Sequence, residues 1–293
     1  RRLSIDIDII VPKSVKIAEI NEILKNIVRT SSFTRYEEQE RHLSQIPKAH
    51  FKLFYESPFD QSEVYVLLDV LFEENPYSRL DSTDIVCPFI DTIPPNVTVK
   101  VPSIADILGD KLTAFAPNTT GILYDKEKEM EIIKQLFDIE SLFDQLSTTN
   151  GVKDTFIRCA EQELNYRQLT EMNYENVLDD IFKTAIIIGG RGSFDKETFL
   201  KLEDGIRRIK SHIINRNYIV EEAVVSASKA AYLSMLLKHQ QDEIEKYHPK
   251  ETLPELEGVP LFKKMAKIKN FSPEAYYYFA KAQELIRRSE KTK

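Results

Sequence analysis

From Glu63 to Phe72 the chain reads Glu-Val-Tyr-Val-Leu-Leu-Asp-Val-Leu-Phe, a nearly unbroken apolar run bounded by loops containing Pro58 and Pro76. A run that is apolar on both faces reads as a central strand, so the protein is built around a sheet with a neighbour on each side of this segment. The one charge inside the run is Asp69. An unpaired carboxylate buried there would be costly, so Asp69 needs either a cationic partner or a metal ion.

The opening segment, Arg1-Arg2-Leu3-Ser4-Ile5-Asp6-Ile7-Asp8, supplies the acids that a metal would share with it. Strand side chains alternate, so Asp6 and Asp8 project together while Ile5, Ile7, Ile9 and Val11 are expected to hold the opposite face against a core. Three carboxylates from two adjacent strands can hold one or two Mg²⁺ ions, which activate a hydroxyl and neutralise a nucleoside triphosphate during in-line transfer. The plainer alternatives are a polar strand end for Asp6 and Asp8, and a buried salt bridge from Asp69 to an Arg or Lys. The sequence starts at this strand, without an initiator Met or a turn ahead of it, so whatever ordinarily precedes the motif is expected to be missing.

Two more elements flank the central run. Ser14 to Val28 has near-helical apolar spacing with Ser14 as a plausible cap, and Ala49–Tyr55 alternates as a strand. Val97–Val101 is a short strand, Pro102-Ser103 starts a helix reaching about Phe115, and a second helix covers Glu127–Leu146. After the break Thr148-Thr149-Asn150-Gly151 the sequence is helical almost to its end. The expected organisation is therefore an α/β (α+β) domain over residues 1–150 and an all-helical domain over 151–293.

Within the helix after Ser103, Lys111 falls between Ile107 and Phe115, near the centre of the apolar face. An ammonium there points inward and calls for an anion, either the carboxylate cluster or a bound phosphate; the alternatives are a buried ion pair and a stem that snorkels out. Asp138, in line with Lys134, Ser141 and Gln145 at the edge of the next helix, is by position alone an ordinary boundary residue.

A net charge of −7 excludes a protein that grips nucleic acid over its whole surface. From Leu261 onward, however, nine Lys/Arg face three acids, a local balance of +6 that leaves −13 on the rest. Tyr276, Tyr277, Tyr278 and Phe279 stand consecutively in this stretch and are not expected all to face one core, which leaves rings for unpaired RNA bases or for a docking helix. Cys87 and Cys159 lie far apart without metal spacing, and no apolar run approaches the roughly 18 residues of a membrane helix, so a cytoplasmic protein with no membrane partner is expected. Gly189-Gly190-Arg191-Gly192 lacks the Lys-Ser/Thr of a phosphate loop and reads as an interhelical turn, and the five His show no pairing at metal or triad spacing.

Three motifs in order, Arg2-x-Ser4-x-Asp6-x-Asp8-Ile9, then Leu108-Gly109-Asp110-Lys111-Leu112-x-Ala114, then Lys134-Gln135-Leu136-Phe137-Asp138-Ile139, resemble the AbiEii-type abortive-infection toxins, a family of nucleotidyltransferase-like proteins. The resemblance implies a DNA polymerase β-like nucleotidyltransferase fold with a mixed sheet. It implies Asp6 and Asp8 as metal ligands, Lys111 as a nucleotide-phosphate contact joined by Arg2, Ser4 and Lys134, and Asp138 as a further essential acid. It further implies the toxin half of a toxin–antitoxin or phage-defence system, using NTP with Mg²⁺ or Mn²⁺ and extending the 3′ end of tRNA, with a cognate antitoxin as partner. Two departures stand out: the family's Gly-Gly/Gly-Ser loop ahead of Asp6 is absent, and Gln135 occupies a position where many relatives carry an acid. Transfer to a protein hydroxyl and a catalytically silent nucleotide- or partner-binding module are the competing functions.

Overall fold

The structure is a computed structural model that describes residues 6–39, 46–86, 91–214, 216–250, 252–254 and 265–292. It divides into two compact units, 2–76 and 77–293. Arg2, Ser4 and Cys87, together with part of the basic stretch after Leu261, lie outside the described residues.

The first unit contains β1 (Asp6–Val11), α1 (Ile17–Thr30), β2 (Arg35–Glu38), β3 (Lys48–Glu56) and β4 (Glu63–Phe72). The sheet order is β1-β4-β3-β2, with β1 parallel to β4 and the other two pairings antiparallel. The apolar run is thus an internal strand, as its composition predicts. α1 lays Ile20 and Leu24 over Phe51, Leu53 and Val70, so one face of β3 and β4 is closed. Ser14 does not cap α1; Lys16 stands at the cap position, and its backbone N–H donates to Glu19 Oε1 at 2.9 Å.

β1 departs from the expected buried strand. It pairs only with β4 among the described residues, and Ile7 and Ile9 remain 52% and 37% exposed. The alternation is as read, but α1 covers the centre of the sheet, and of the strand's apolar row in the described residues Val11 alone packs against this core.

The second unit opens with an antiparallel hairpin, β5 (Leu80–Asp84) and β6 (Thr98–Pro102). Ser103 then caps α2 (Ile104–Ala114) by accepting from the Asp106 N–H. There follow α3 (Glu129–Phe143), α4 (Val152–Tyr166), α5 (Tyr174–Gly189), α6 (Lys196–Ile209), α7 (Val220–Lys238) and α8 (Pro273–Thr292). One apolar cluster runs through all of them, from Leu108 and Leu112 on α2 to Phe279 and Leu285 on α8. The break at Gly151 joins α3 to α4 inside this unit. α7 is the central helix: its Ala- and Ser-rich sequence lets neighbours approach on every side, and Ala223 through Leu237 are buried with the exception of Val225. Gly190–Gly192 forms the turn after α5, with Gly192 at φ +81°.

The four consecutive aromatics of α8 are all buried, contrary to the expectation that some must face outward. Each ring leaves the helix in a different direction and meets a different neighbour. Tyr278 stacks on Tyr232 of α7 at 5.8 Å, Tyr277 leans on Tyr247 at 5.6 Å, Phe279 lies against Gly189, and the Lys269 ammonium sits 5.6 Å from the Tyr276 ring centre. A helix enclosed on all sides can bury every face, so this run is core and offers no stacking platform for RNA.

Candidate functional site

The first group of candidate residues lies on the sheet face opposite α1. In the parallel β1–β4 pairing Asp8 is the direct partner of Asp69, and Asp6 is the partner of Leu67. Paired residues point to the same side of a sheet, so all three carboxylates share one face, Asp6 one pleat along from the Asp8–Asp69 pair. Asp6 and Asp8 are exposed and Asp69 is partly covered.

The covering group is His50, which sequence reasoning missed. Antiparallel pairing sets His50 of β3 opposite Asp69, and His50 Nδ1 lies 2.7 Å from Asp69 Oδ1. The expected partner was a metal or an Arg or Lys; a histidine occupies that place. Its only sequence signal is the phase of the Ala49-His50-Phe51 alternation, which sends His50 away from the core, and the strand register that identifies its partner is not written in either strand alone.

Among the described residues no three His, Cys, Asp or Glu side chains are grouped closely enough to hold a metal ion. Mg²⁺ rarely demands such a cage: it binds hard oxygen donors, usually one or two carboxylates, and completes its shell with substrate phosphates and water. The register-paired Asp8 and Asp69 supply two such carboxylates, and Asp6 lies one pleat along on the same face.

The second group sits on α2 and α3. Lys111 Nζ is 3.8 Å from Asp138 Oδ2, with side chains 30% and 18% exposed. The two residues that the sequence singled out on separate helices therefore meet, but Lys111 is not inward-directed as expected: the buried face of α2 is formed by Asp106, Leu108, Gly109, Leu112 and Thr113, and Lys111 lies beside it, partly in solvent, with Asp138 as its ion-pair partner. One helical turn before Asp138, Lys134 pairs with Glu131 at 2.7 Å. Between them the Oε1 of Gln135 is buried and meets no donor.

Two features fix α2, and with it Lys111. Gly109 lets α2 and α4 approach so closely that a Cβ there would stand 2.6 Å from the Val152 carbonyl oxygen. Asp106 is fully buried and accepts from the Ser78 N–H at 2.8 Å, the Arg79 N–H at 3.2 Å, and the hydroxyls of Ser78, Ser103 and Thr155. Burial is the largest single influence on this carboxyl and pushes it up, but the hydrogen bonds from Ser103, Thr155 and Ser78 together outweigh it and hold it at about 2. The one described cysteine, Cys159, is buried, and burial pushes its thiol well up, the opposite of an activated nucleophile.

No helix among the described residues is long and apolar enough to cross a membrane. No curated protein and no solved structure matches the chain. A family model described as "Nucleotidyl transferase AbiEii toxin, Type IV TA system" matches residues 1–239, which takes in all three motifs and every candidate residue above. The chain therefore belongs to the AbiEii nucleotidyltransferase toxin family of type IV toxin–antitoxin systems.

Proposed function

We propose that this nucleotidyltransferase transfers a nucleoside monophosphate from an NTP to a hydroxyl at the 3′ end of an RNA, with tRNA the acceptor, in the cytoplasm and under the control of a cognate antitoxin. The observation that carries this reading is the register pairing of Asp8 with Asp69, with Asp6 on the same sheet face. Asp6, Asp8 and Asp69 would hold Mg²⁺ or Mn²⁺. When bound, the ion neutralises triphosphate charge and favours ionisation of the attacking hydroxyl.

The chain's own residues then have distinct tasks. Asp6 and Asp8 would hold the cation on the exposed face of β1, and its charge would attract the triphosphate there. Asp69 takes the proton of the acceptor hydroxyl as its oxygen attacks the α-phosphorus, and the α–β bridging bond breaks to release pyrophosphate. Lys111, whose ammonium pairs with Asp138, and Lys134, which pairs with Glu131, are assigned by their place in the family's motifs to contact the nucleotide phosphates, where positive charge stabilises the leaving group. Arg2 and Ser4 belong to the same nucleotide-binding set.

The test is incubation of the protein with Mg²⁺, total tRNA and each α-labelled NTP in turn, beside Asp6→Asn and Asp8→Asn. The expected result is label on RNA that falls in either variant by about 10²- to 10³-fold, the loss typical of a group that stabilises the transition state. Full activity in both variants would refute the assignment of the site. Label on protein in place of RNA would move the acceptor to a Ser, Thr or Tyr hydroxyl, and NTP binding without turnover would indicate a silent binding module.

A further inference from the structure

We infer that His50 is a positioning residue for Asp69, fixing the orientation in which that carboxylate meets the cation it shares with Asp8. The inference rests on the proposed metal site and adds a residue to it. An ionised carboxylate only accepts hydrogen bonds, so in the 2.7 Å contact the Nδ1–H of His50 is the donor and Oδ1 of Asp69 the acceptor. One carboxylate oxygen is thereby tied to β3, and rotation about the Asp69 side chain is restricted.

The imidazole is itself well held. His50 lies between the buried Ala49 and Phe51 near the start of β3, one residue before the pairing with β2 begins and directly opposite Asp69 of β4. Its carbonyl accepts from the Gln39 N–H at 2.7 Å, and its side chain is 13% exposed. Asp69, by contrast, keeps a third of its side chain in solvent. A carboxylate that wet gains little stability from one partner, so the contact does more for direction than for folding. Carboxylates that bind metals are commonly held in this way by a neighbouring donor, and loss of such a donor costs about 10- to 100-fold in metal affinity.

The experiment is a titration of the full chain with Mn²⁺, followed by the loss of the free-ion electron paramagnetic resonance signal, for wild type, Asp8→Asn, His50→Leu and His50→Asn. Leucine fills a similar volume without a donor, whereas the Nδ2 of asparagine occupies nearly the place of Nδ1. The expected result is an affinity at least about 10-fold weaker in His50→Leu and largely restored in His50→Asn, with circular dichroism melts unchanged. Wild-type affinity in His50→Leu, or a folded His50→Asn as weak as His50→Leu, overturns the inference. Should His50→Leu not fold, His50→Gln takes its place: its longer side chain carries the donor past Asp69, so affinity equal to that of His50→Asn overturns the inference. No acceptor enters this measurement, so failure of transfer to RNA is separate from it. A wild type that binds Mn²⁺ no better than Asp8→Asn overturns the metal site itself, and His50 positioning with it.

Discussion

Asp106 is the residue whose loss the structure prices most directly, because one buried carboxylate joins the turn at Ser78–Arg79, the start of α2 and the side of α4. Its carboxyl is lowered from 3.8 to about 2. A folded-state value below the unfolded one stabilises the fold above the unfolded value and is lost as the pH falls through the folded one, here between about pH 4 and pH 2. A difference of nearly two units corresponds to at most about 2 kcal/mol. Asp106→Asn removes that contribution and turns an amide N–H toward the Arg79 N–H, leaving a buried donor without an acceptor at a further cost of about 1–3 kcal/mol. The expected loss near pH 6 is therefore up to about 5 kcal/mol. The assay is urea unfolding of wild type and Asp106→Asn at a series of pH values from 6 to 2.5. Other acids titrate equally in both proteins, so the gap between the two isolates this residue, and it should narrow by more than about 1 kcal/mol on acidification. A gap below about 1 kcal/mol at pH 6, or one that does not change with pH, would refute the claim that these hydrogen bonds overcome burial.

Gly109→Ala should destabilise the second unit by about 1–3 kcal/mol despite the better helix propensity of alanine, because its Cβ would meet backbone atoms of Val152 and Phe156 that cannot rotate away. Denaturant unfolding checks it, and a stabilised variant would mean that α2 and α4 are further apart than described. Gln135→Met removes a buried oxygen that has no donor, so stability should be unchanged or rise by up to about 1 kcal/mol. A loss above about 2 kcal/mol in the same unfolding assay would show that the amide makes a bond essential to the fold.

How much of this was legible depends on whether the cause is local. β4 could be read because apolar residues fill both of its faces between two prolines, and α2 because Pro102 and Ser103 mark its start. Asp6 and Asp8 could be paired because strand periodicity is a property of one segment. The remainder depends on neighbours. The exposure of Ile7 and Ile9 follows from where α1 lies, over β3 and β4 and not over β1, which no alternation pattern encodes. The burial of Tyr276 through Phe279 follows from how many elements surround α8, and helical periodicity alone counts only one side. His50 is the sharpest case: a lone histidine gains meaning when the register sets it opposite Asp69, nineteen positions away. Gly109 shows the converse, because its motif was recognised while its reason was not. The residue before Asp110-Lys111 must be glycine here for the approach of α4, and that same approach brings Thr155 to Asp106. A motif that looks like nucleotide chemistry is thus partly a packing motif, with one face of α2 devoted to α4 so that the residue two positions on, Lys111, stands at a fixed height beside Asp138.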